Sequence, residues 1–75
     1  MIASDMFALN NAQIKEARRK LGLTQSQLAA MLDTDPRAIR AMESDPATSK
    51  HRTPAPRMVR LLQAYLDGYR PADWP

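Results

Sequence analysis

Two helix starts that carry the same double signature constrain the fold of this chain more than any other feature. Asn10 and Thr24 are each followed three residues later by a glutamine, so a side-chain cap and a reciprocal amide can satisfy the first free backbone amides of a helix. Each cap is also flanked by an apolar pair in the staple arrangement, Leu9 with Ile14 and Leu23 with Leu28. The sequence therefore predicts two short helices in close succession, over about residues 11–21 and 25–32.

Two further helices are predicted, each with a proline in its first turn. Asp35 caps a helix over about residues 36–43 that begins at Pro36, where the missing amide leaves no partner unsatisfied. Thr53 is expected to cap the last helix, over about residues 54–67. Apolar residues recur there at spacings of three and four, at Met58, Leu61, Leu62, Tyr65 and Leu66.

The remaining segments lack helical periodicity. Residues 44–52 are predicted to form an exposed loop, and residues 69–75 a proline-containing tail that holds the single tryptophan. The whole chain of 75 residues is then expected to be one all-α domain, a compact bundle of four to five helices spanning residues 1–75.

Composition argues against several classes of function. Cysteine is absent and His51 is the single histidine, so the chain cannot build a disulfide, a thiolate metal site or a histidine-dependent triad. No paired carboxylates or glycine-rich phosphate loop is evident. We therefore expect no enzyme activity, no cofactor, no metal and no small-molecule ligand. Apolar runs are short and the amino-terminal stretch lacks a basic secretion signal, so we expect a cytoplasmic protein with no membrane partner.

The charge distribution favours an anionic partner. Eleven Lys and Arg against eight Asp and Glu give a net charge of +3, and residues 50–60 contain no acidic residue. The basic residues of that segment are Lys50, His51, Arg52, Arg57 and Arg60. A polyanion such as nucleic acid is one interpretation of this run, and a solvated basic surface is the other.

Residues 22–43 have the pattern of two crossed helices whose second member exposes arginines. Ala29 is the small residue needed where the helices cross, and apolar residues on both sides of the turn would fix the crossing. The opposite face of helix 36–43 then points outward. There Arg37 and Arg40 can contact guanine and Ala41 a thymine methyl group in the major groove of DNA. The alternative is a solvated helix face with ordinary surface arginines.

Further residues are candidates for contacts with the DNA backbone. Gln25 lies in the first turn of its helix, where amide groups can donate to a phosphate. The other candidates are Thr34, Ser44, Lys50 and Arg52. For these polar residues plain turn chemistry, or a solvated surface, remains the alternative.

Two more groups are predicted to have structural roles. Arg18 and Glu43 are expected to form a partly buried ion pair, with two independent surface charges as the alternative. The last helix and the tail carry more apolar residues than one face of a small core requires, which suggests a homodimer, with packing in the chain's own core as the alternative. The residues assigned to that interface are Leu62, Tyr65, Leu66, Tyr69 and Trp74.

The segments Ile14-Lys-Glu-Ala-Arg18, Gly22-Leu-Thr-Gln25-Ser-Gln-Leu28-Ala29 and Ile39 with Met42-Glu43 resemble the Xre or Cro/C1 helix-turn-helix family of phage-type repressors. The resemblance covers about residues 10–66. It implies an all-helical DNA-binding domain, usually dimeric, with helix 36–43 in the major groove. By position it implies a phosphate contact at Gln25, base contacts at Pro36, Arg37 and Ala41, and an internal salt bridge between Arg18 and Glu43.

Two positions depart from the family pattern. Asp33 stands where the turn usually has glycine, and Pro36 replaces a polar residue that often contacts bases. Both departures shift the expected base contacts towards Arg37 and Arg40.

A narrower resemblance concerns Asp35-Pro-Arg37-Ala-Ile-Arg40 followed by Arg52-Thr-Pro-Ala-Pro56, which is similar to small anti-CRISPR-associated regulators. It implies an autorepressor that binds an inverted repeat in the promoter of a phage operon. The alternative from another class is an antitoxin-type protein-interaction module that uses the apolar face of the last helix.

Overall fold

The computed structural model describes residues 9–75, and within that range it contains four helices and no strand. They are α1 (Asn11–Lys20), α2 (Gln25–Met31), α3 (Pro36–Glu43) and α4 (Pro56–Leu66). The predicted all-α class is confirmed. The expectation that the amino-terminal stretch holds no secretion signal concerns residues that, apart from Leu9, lie outside the described part. None of the four helices is long and apolar enough to cross a membrane.

Both predicted capping boxes form. The side-chain oxygen of Asn10 accepts from the Gln13 amide at 2.8 Å, and the Gln13 side chain accepts from the Asn10 amide at 2.9 Å. Thr24 and Gln27 repeat the exchange at 3.0 and 2.9 Å. These contacts are local in sequence, which explains why the two helix starts lie where the sequence predicts them.

Helices α1, α2 and α4 end in the same way, with one residue in the left-handed conformation. That residue is Gly22 after α1 (φ 72°), Asp33 after α2 (φ 58°) and Gly68 after α4 (φ 108°). In each case the next amide reaches back to a carbonyl five residues earlier, as Thr34 does to Ala29 at 2.8 Å. Asp33 therefore adopts, at some steric cost, the conformation for which glycine is the usual residue.

The start of α4 differs from the prediction. The helix begins at Pro56 rather than at residue 54, and its N-cap is Ala55, which makes no side-chain capping bond. A residue that precedes proline is excluded from the helical conformation, and Ala55 accordingly has φ −65° and ψ 147°. The prediction that Thr53 caps this helix is therefore wrong.

The core is assembled from one apolar face of each helix. Its largest fully buried side chains are Leu28, Ile39, Val59 and Tyr65. The remaining buried apolar residues are Ile14, Ala17, Leu23, Ala29, Leu32, Ala38, Met42 and Leu62.

Two residues that were assigned to a dimer interface belong to this core. Leu62 and Tyr65 are each only 2% exposed, and the Tyr65 hydroxyl donates to the Met31 carbonyl at 3.2 Å. The buried stripe of α4 runs through Val59, Leu62 and Tyr65, so these side chains face the other helices rather than solvent. Neither residue can therefore supply a free surface for a second subunit.

The tail folds back over the end of α4 instead of forming a fifth helix. The Trp74 ring meets the Tyr65 ring edge-on with centroids 5.0 Å apart. The Tyr69 ring stacks parallel to the Tyr65 ring with centroids 5.9 Å apart. Arg70 lies over the Trp74 ring, 4.4 Å from its centroid, and donates to the Tyr65 carbonyl at 2.7 Å. Trp74 is thus half-buried against its own chain, and its part in a dimer contact stays a prediction.

Candidate nucleic-acid interface

Helix α3 presents two arginines on the face opposite its buried residues. Ala38, Ile39 and Met42 face the core, whereas Arg37 and Arg40 are exposed. Half-buried Ala41 and Ser44 continue the outward face. The helix begins where the sequence predicts it, because the Asp35 carboxylate accepts from the Ala38 amide at 2.9 Å and Pro36 occupies the first turn.

The end of α3 is tied to α1 by an ion pair. Arg18 donates through Nε to Glu43 Oε2 at 2.7 Å and through Nη2 to Oε1 at 3.1 Å, a two-point contact. The third guanidinium nitrogen, Nη1, donates to the Leu23 carbonyl at 3.1 Å. The side chains are 14% and 5% exposed, respectively, so the pair is largely removed from water. All three guanidinium nitrogens of Arg18 therefore donate within the protein, so this side chain stabilises the fold.

Gln25 joins this brace. Its side-chain Nε2 donates to Glu43 Oε1 at 3.2 Å, which links the first turn of α2 to the last turn of α3. An amide nitrogen carries two hydrogens, so the same group can still donate once more. The sequence does not indicate this link, because Gln25 and Glu43 are eighteen positions apart in the chain.

The loop after α3 is folded back onto that helix. The Arg52 amide donates to the Ala41 carbonyl at 3.1 Å, and His51 Nδ1 lies 3.1 Å from the Ser44 carbonyl oxygen. The sequence indicates no role for His51 beyond its place in the basic segment. Its place as the single histidine between two basic residues was the one available signal.

The returning loop brings basic side chains next to the arginines of α3. One open cleft is lined by Arg37, Arg40, Ala41, Ser44 and Lys50. A second cleft shares Arg37, Ala41 and Lys50 with it and also includes Asp35, His51 and Arg52. Three predicted base-contacting residues and three predicted phosphate-contacting residues therefore lie on one continuous surface.

One of the predicted phosphate contacts, Ser44, already donates its hydroxyl hydrogen within the protein, whereas Thr34 uses only its backbone amide. The Ser44 hydroxyl donates to the Ala41 carbonyl at 2.7 Å, so its hydrogen is not available to a phosphate, which can only accept. Thr34 lies half-buried in the turn after α2, where its backbone amide donates to Ala29. Within residues 9–75, no group of three His, Asp or Glu side chains is placed to hold a metal ion.

A family model described as helix-turn-helix matches residues 14–74 of the sequence. The chain belongs to the helix-turn-helix family. The match spans all of α2, α3 and α4 and is of the Xre and Cro/C1 kind, which comprises DNA-binding transcription regulators rather than enzymes. In this helix-turn-helix protein α2 and α3 are the two helices that give the family its name. No curated protein and no solved structure matches the chain significantly.

Proposed function

We propose that this helix-turn-helix protein is a transcriptional repressor that binds an inverted repeat in a promoter as a homodimer. Helix α3 would lie in the major groove, with repression resulting from occupancy of the site. The observation that carries the proposal is the pair of exposed arginines on α3, which project from a helix whose other face is fixed in the core. The resemblance of residues 35–56 to small phage regulators supports an autoregulated phage or mobile-element operon.

The spacing of the arginines fits base recognition. Residues three apart on a helix are separated by about 4.5 Å along its axis. Adjacent base pairs are separated by about 3.4 Å, so Arg37 and Arg40 can address neighbouring base pairs. Arginine pairs with the two major-groove acceptors of guanine, and the Ala41 methyl group suits thymine. We therefore expect each half-site to contain guanines at neighbouring positions and a thymine beside them.

Backbone contacts would come from residues around this surface. Lys50 and Arg52 are exposed on the loop that returns to α3, and each phosphate they neutralise would make the slope of log affinity against log salt more negative by about 0.9. Gln25 and Thr34 are the remaining candidates. Such contacts would set the position of α3 on the duplex without selecting a sequence.

The dimer contact would be built from the apolar residues that the core leaves uncovered. Leu66 is 38% and Tyr69 is 53% exposed, and they lie at the end of α4 and the start of the tail. Leu62 and Tyr65 would support this surface from within, and the half-buried Trp74 would border it. A two-fold dimer would place two α3 helices on successive turns of the same DNA face.

The test is selection of bound sites from random duplexes, followed by titration of the selected duplex and a scrambled one. We expect a palindrome whose half-site centres are about one helical turn apart. Arg40→Ala should lose about 1–3 kcal/mol on the selected duplex and much less on the scrambled one. Lys15→Ala, which removes an exposed charge from α1, is the matched control and should change neither affinity strongly.

Three results would contradict the proposal. Equal losses on both duplexes would reduce Arg40 to a phosphate contact, and an asymmetric short site would argue against the dimer. Failure to bind any duplex below about micromolar concentration at physiological salt would remove the DNA-binding role itself. Repression is tested by transcription from a promoter carrying the selected site, which the unmodified protein should block and Arg40→Ala should not.

A second candidate is an antitoxin-type interaction module, which a groove between the end of α2 and α4 favours. Its floor is apolar, with Met31, Leu32, Met58 and Leu61 among its lining residues. Substituting Leu61 with aspartate would abolish binding of a protein partner in this groove. The same change would leave duplex affinity unaltered if α3 alone carries function.

A further inference from the structure

We propose that His51 is a positioning residue that fixes the basic segment Lys50–Arg52 against α3 before DNA binds. The inference rests on the proposed function, since DNA is the ligand whose affinity it controls. It concerns a residue with no base or phosphate contact assigned to it. The geometric basis is the 3.1 Å separation between His51 Nδ1 and the carbonyl oxygen of Ser44.

The chemistry of that contact determines which ring nitrogen carries the hydrogen. A carbonyl oxygen only accepts, so Nδ1 must donate to Ser44, and this bond sets the orientation of the imidazole. Ser44 is the residue at which α3 ends, and its backbone is extended, with φ −80° and ψ 164°. The His51 side chain is therefore hydrogen-bonded to the backbone at the residue where the chain leaves α3.

Helix α3 differs from the other three helices in how its last carbonyls are satisfied. The others end in a left-handed residue whose neighbours fold back onto the helix. After α3 the backbone is extended at Ser44 and then turns, and the loop returns seven or more residues later to provide partners. The Arg52 amide donates to Ala41, and His51 donates to Ser44. These two bonds from adjacent residues fasten the loop at one place.

The position of the fastening explains why it would affect DNA binding. Lys50 and Arg52 flank His51 in sequence and are both exposed. Lys50 lines the cleft shared with Arg37 and Arg40, and Arg52 lines the neighbouring one. A loop ordered during folding spares the loss of conformational freedom that would otherwise accompany binding. The carboxylates of Asp45 in the loop and Asp35 at the start of α3 accept from the Ala47 and Ala38 amides.

The experiment compares His51→Ala and His51→Asn on the selected duplex and a scrambled duplex by fluorescence anisotropy. Losing one hydrogen bond that holds the loop should weaken binding of both duplexes by about 2- to 12-fold in His51→Ala. Asparagine places a donor nitrogen close to the position of Nδ1, so His51→Asn should recover most of the affinity. Circular dichroism and urea unfolding would verify that both variants are folded.

A double-mutant cycle with Lys50→Ala separates positioning from a merely structural effect. If His51 places Lys50, the loss caused by Lys50→Ala should be clearly smaller in the His51→Ala background than in the unmodified protein. The cycle of His51→Ala with Lys15→Ala, a charge on α1, should be additive and serves as the control.

Three outcomes would overturn the inference. They are unchanged affinity in His51→Ala, a His51→Asn variant as weak as His51→Ala, and additive losses with Lys50→Ala. The second outcome would mean that the imidazole itself touches DNA. If the unmodified protein binds no duplex, it is the proposed function that fails, which is a different result from a neutral His51→Ala in a protein that does bind.

Discussion

Replacing Glu43 with alanine should destabilise the fold strongly, because three donors converge on its carboxylate. Arg18 contributes two of them at 2.7 and 3.1 Å, and Gln25 contributes the third at 3.2 Å. With the acid removed, the Arg18 guanidinium keeps its contact to Leu23 but remains a charge whose side chain is only 14% exposed. A charge left uncompensated in such a place is a severe defect.

The expected size follows from that burial. Removing one partner of a buried pair costs about 3–5 kcal/mol, and the partial exposure of Arg18 places Glu43→Ala near the lower end, at about 3 kcal/mol. A chain of this length has roughly 4–11 kcal/mol of total stability. The substitution should therefore remove a large fraction of it and lower the Tm by about 12–24 °C.

Urea unfolding followed by Trp74 fluorescence provides the measurement, since the indole packs on Tyr65 and will report loss of the core. Glu16→Ala removes an exposed acid from α1 and should cost less than about 0.5 kcal/mol. A double variant, Arg18→Met with Glu43→Leu, should recover most of the loss, because it leaves no charge stranded. A loss below about 1 kcal/mol in Glu43→Ala, or no recovery in the double variant, would refute the argument.

Three further changes test other parts of the fold by urea unfolding followed by circular dichroism, because one of them removes Trp74 itself. Asp33→Val should cost about 1–2 kcal/mol, because a β-branched residue resists the left-handed conformation, whereas Asp33→Gly should be close to neutral. Tyr65→Phe should cost about 1 kcal/mol at neutral pH by removing the bond to the Met31 carbonyl. Burial first, and then Tyr69 and Asp73, raise the pKa of Tyr65, so the unfolded chain loses this proton before the folded one. Stability should therefore fall as the pH rises above about 10, and less so in Tyr65→Phe. Trp74→Ala should cost about 2 kcal/mol, roughly half the value for a fully buried aromatic residue. A negligible loss would show that packing of the tail on α4 does not stabilise the fold.

The features that the sequence predicts well are those in which a few neighbouring residues determine the geometry. Asn10 and Thr24 need only the glutamine three residues on, and Asp35 needs only the adjacent proline. Gly22 and Gly68 end their helices for reasons contained in the residue itself. The outward face of α3 was predictable for a related reason, since burial of Ile39 and Met42 leaves Arg37 and Arg40 on the other side.

The features that the sequence missed depend on contacts between distant segments. The apolar residues of α4 alone did not show that Val59 is buried while Leu66 is exposed, because that rotation is set by what the helix packs against. The ring contact between Trp74 and Tyr65 and the hydrogen bond between His51 and Ser44 join segments that no local sequence pattern relates. The late start of α4 is a different case, since two prolines two residues apart already excluded Thr53 as its cap.

The contacts at the end of α3 matter because a helix of this length is not stable on its own. It has eight residues, whereas isolated helices shorter than about 12–15 residues are marginal in water. Its start is held by Asp35 and its end by two independent ties, the Arg18–Gln25–Glu43 brace and the His51–Arg52 return. The double variant that restores stability with Met and Leu removes the Gln25 link to α3 and leaves the loop in place. If the two ties act separately, this variant should fold well and keep the coupling between Lys50 and His51. It should still lose duplex affinity, because the Gln25 side chain at the start of α2 is no longer held by Glu43.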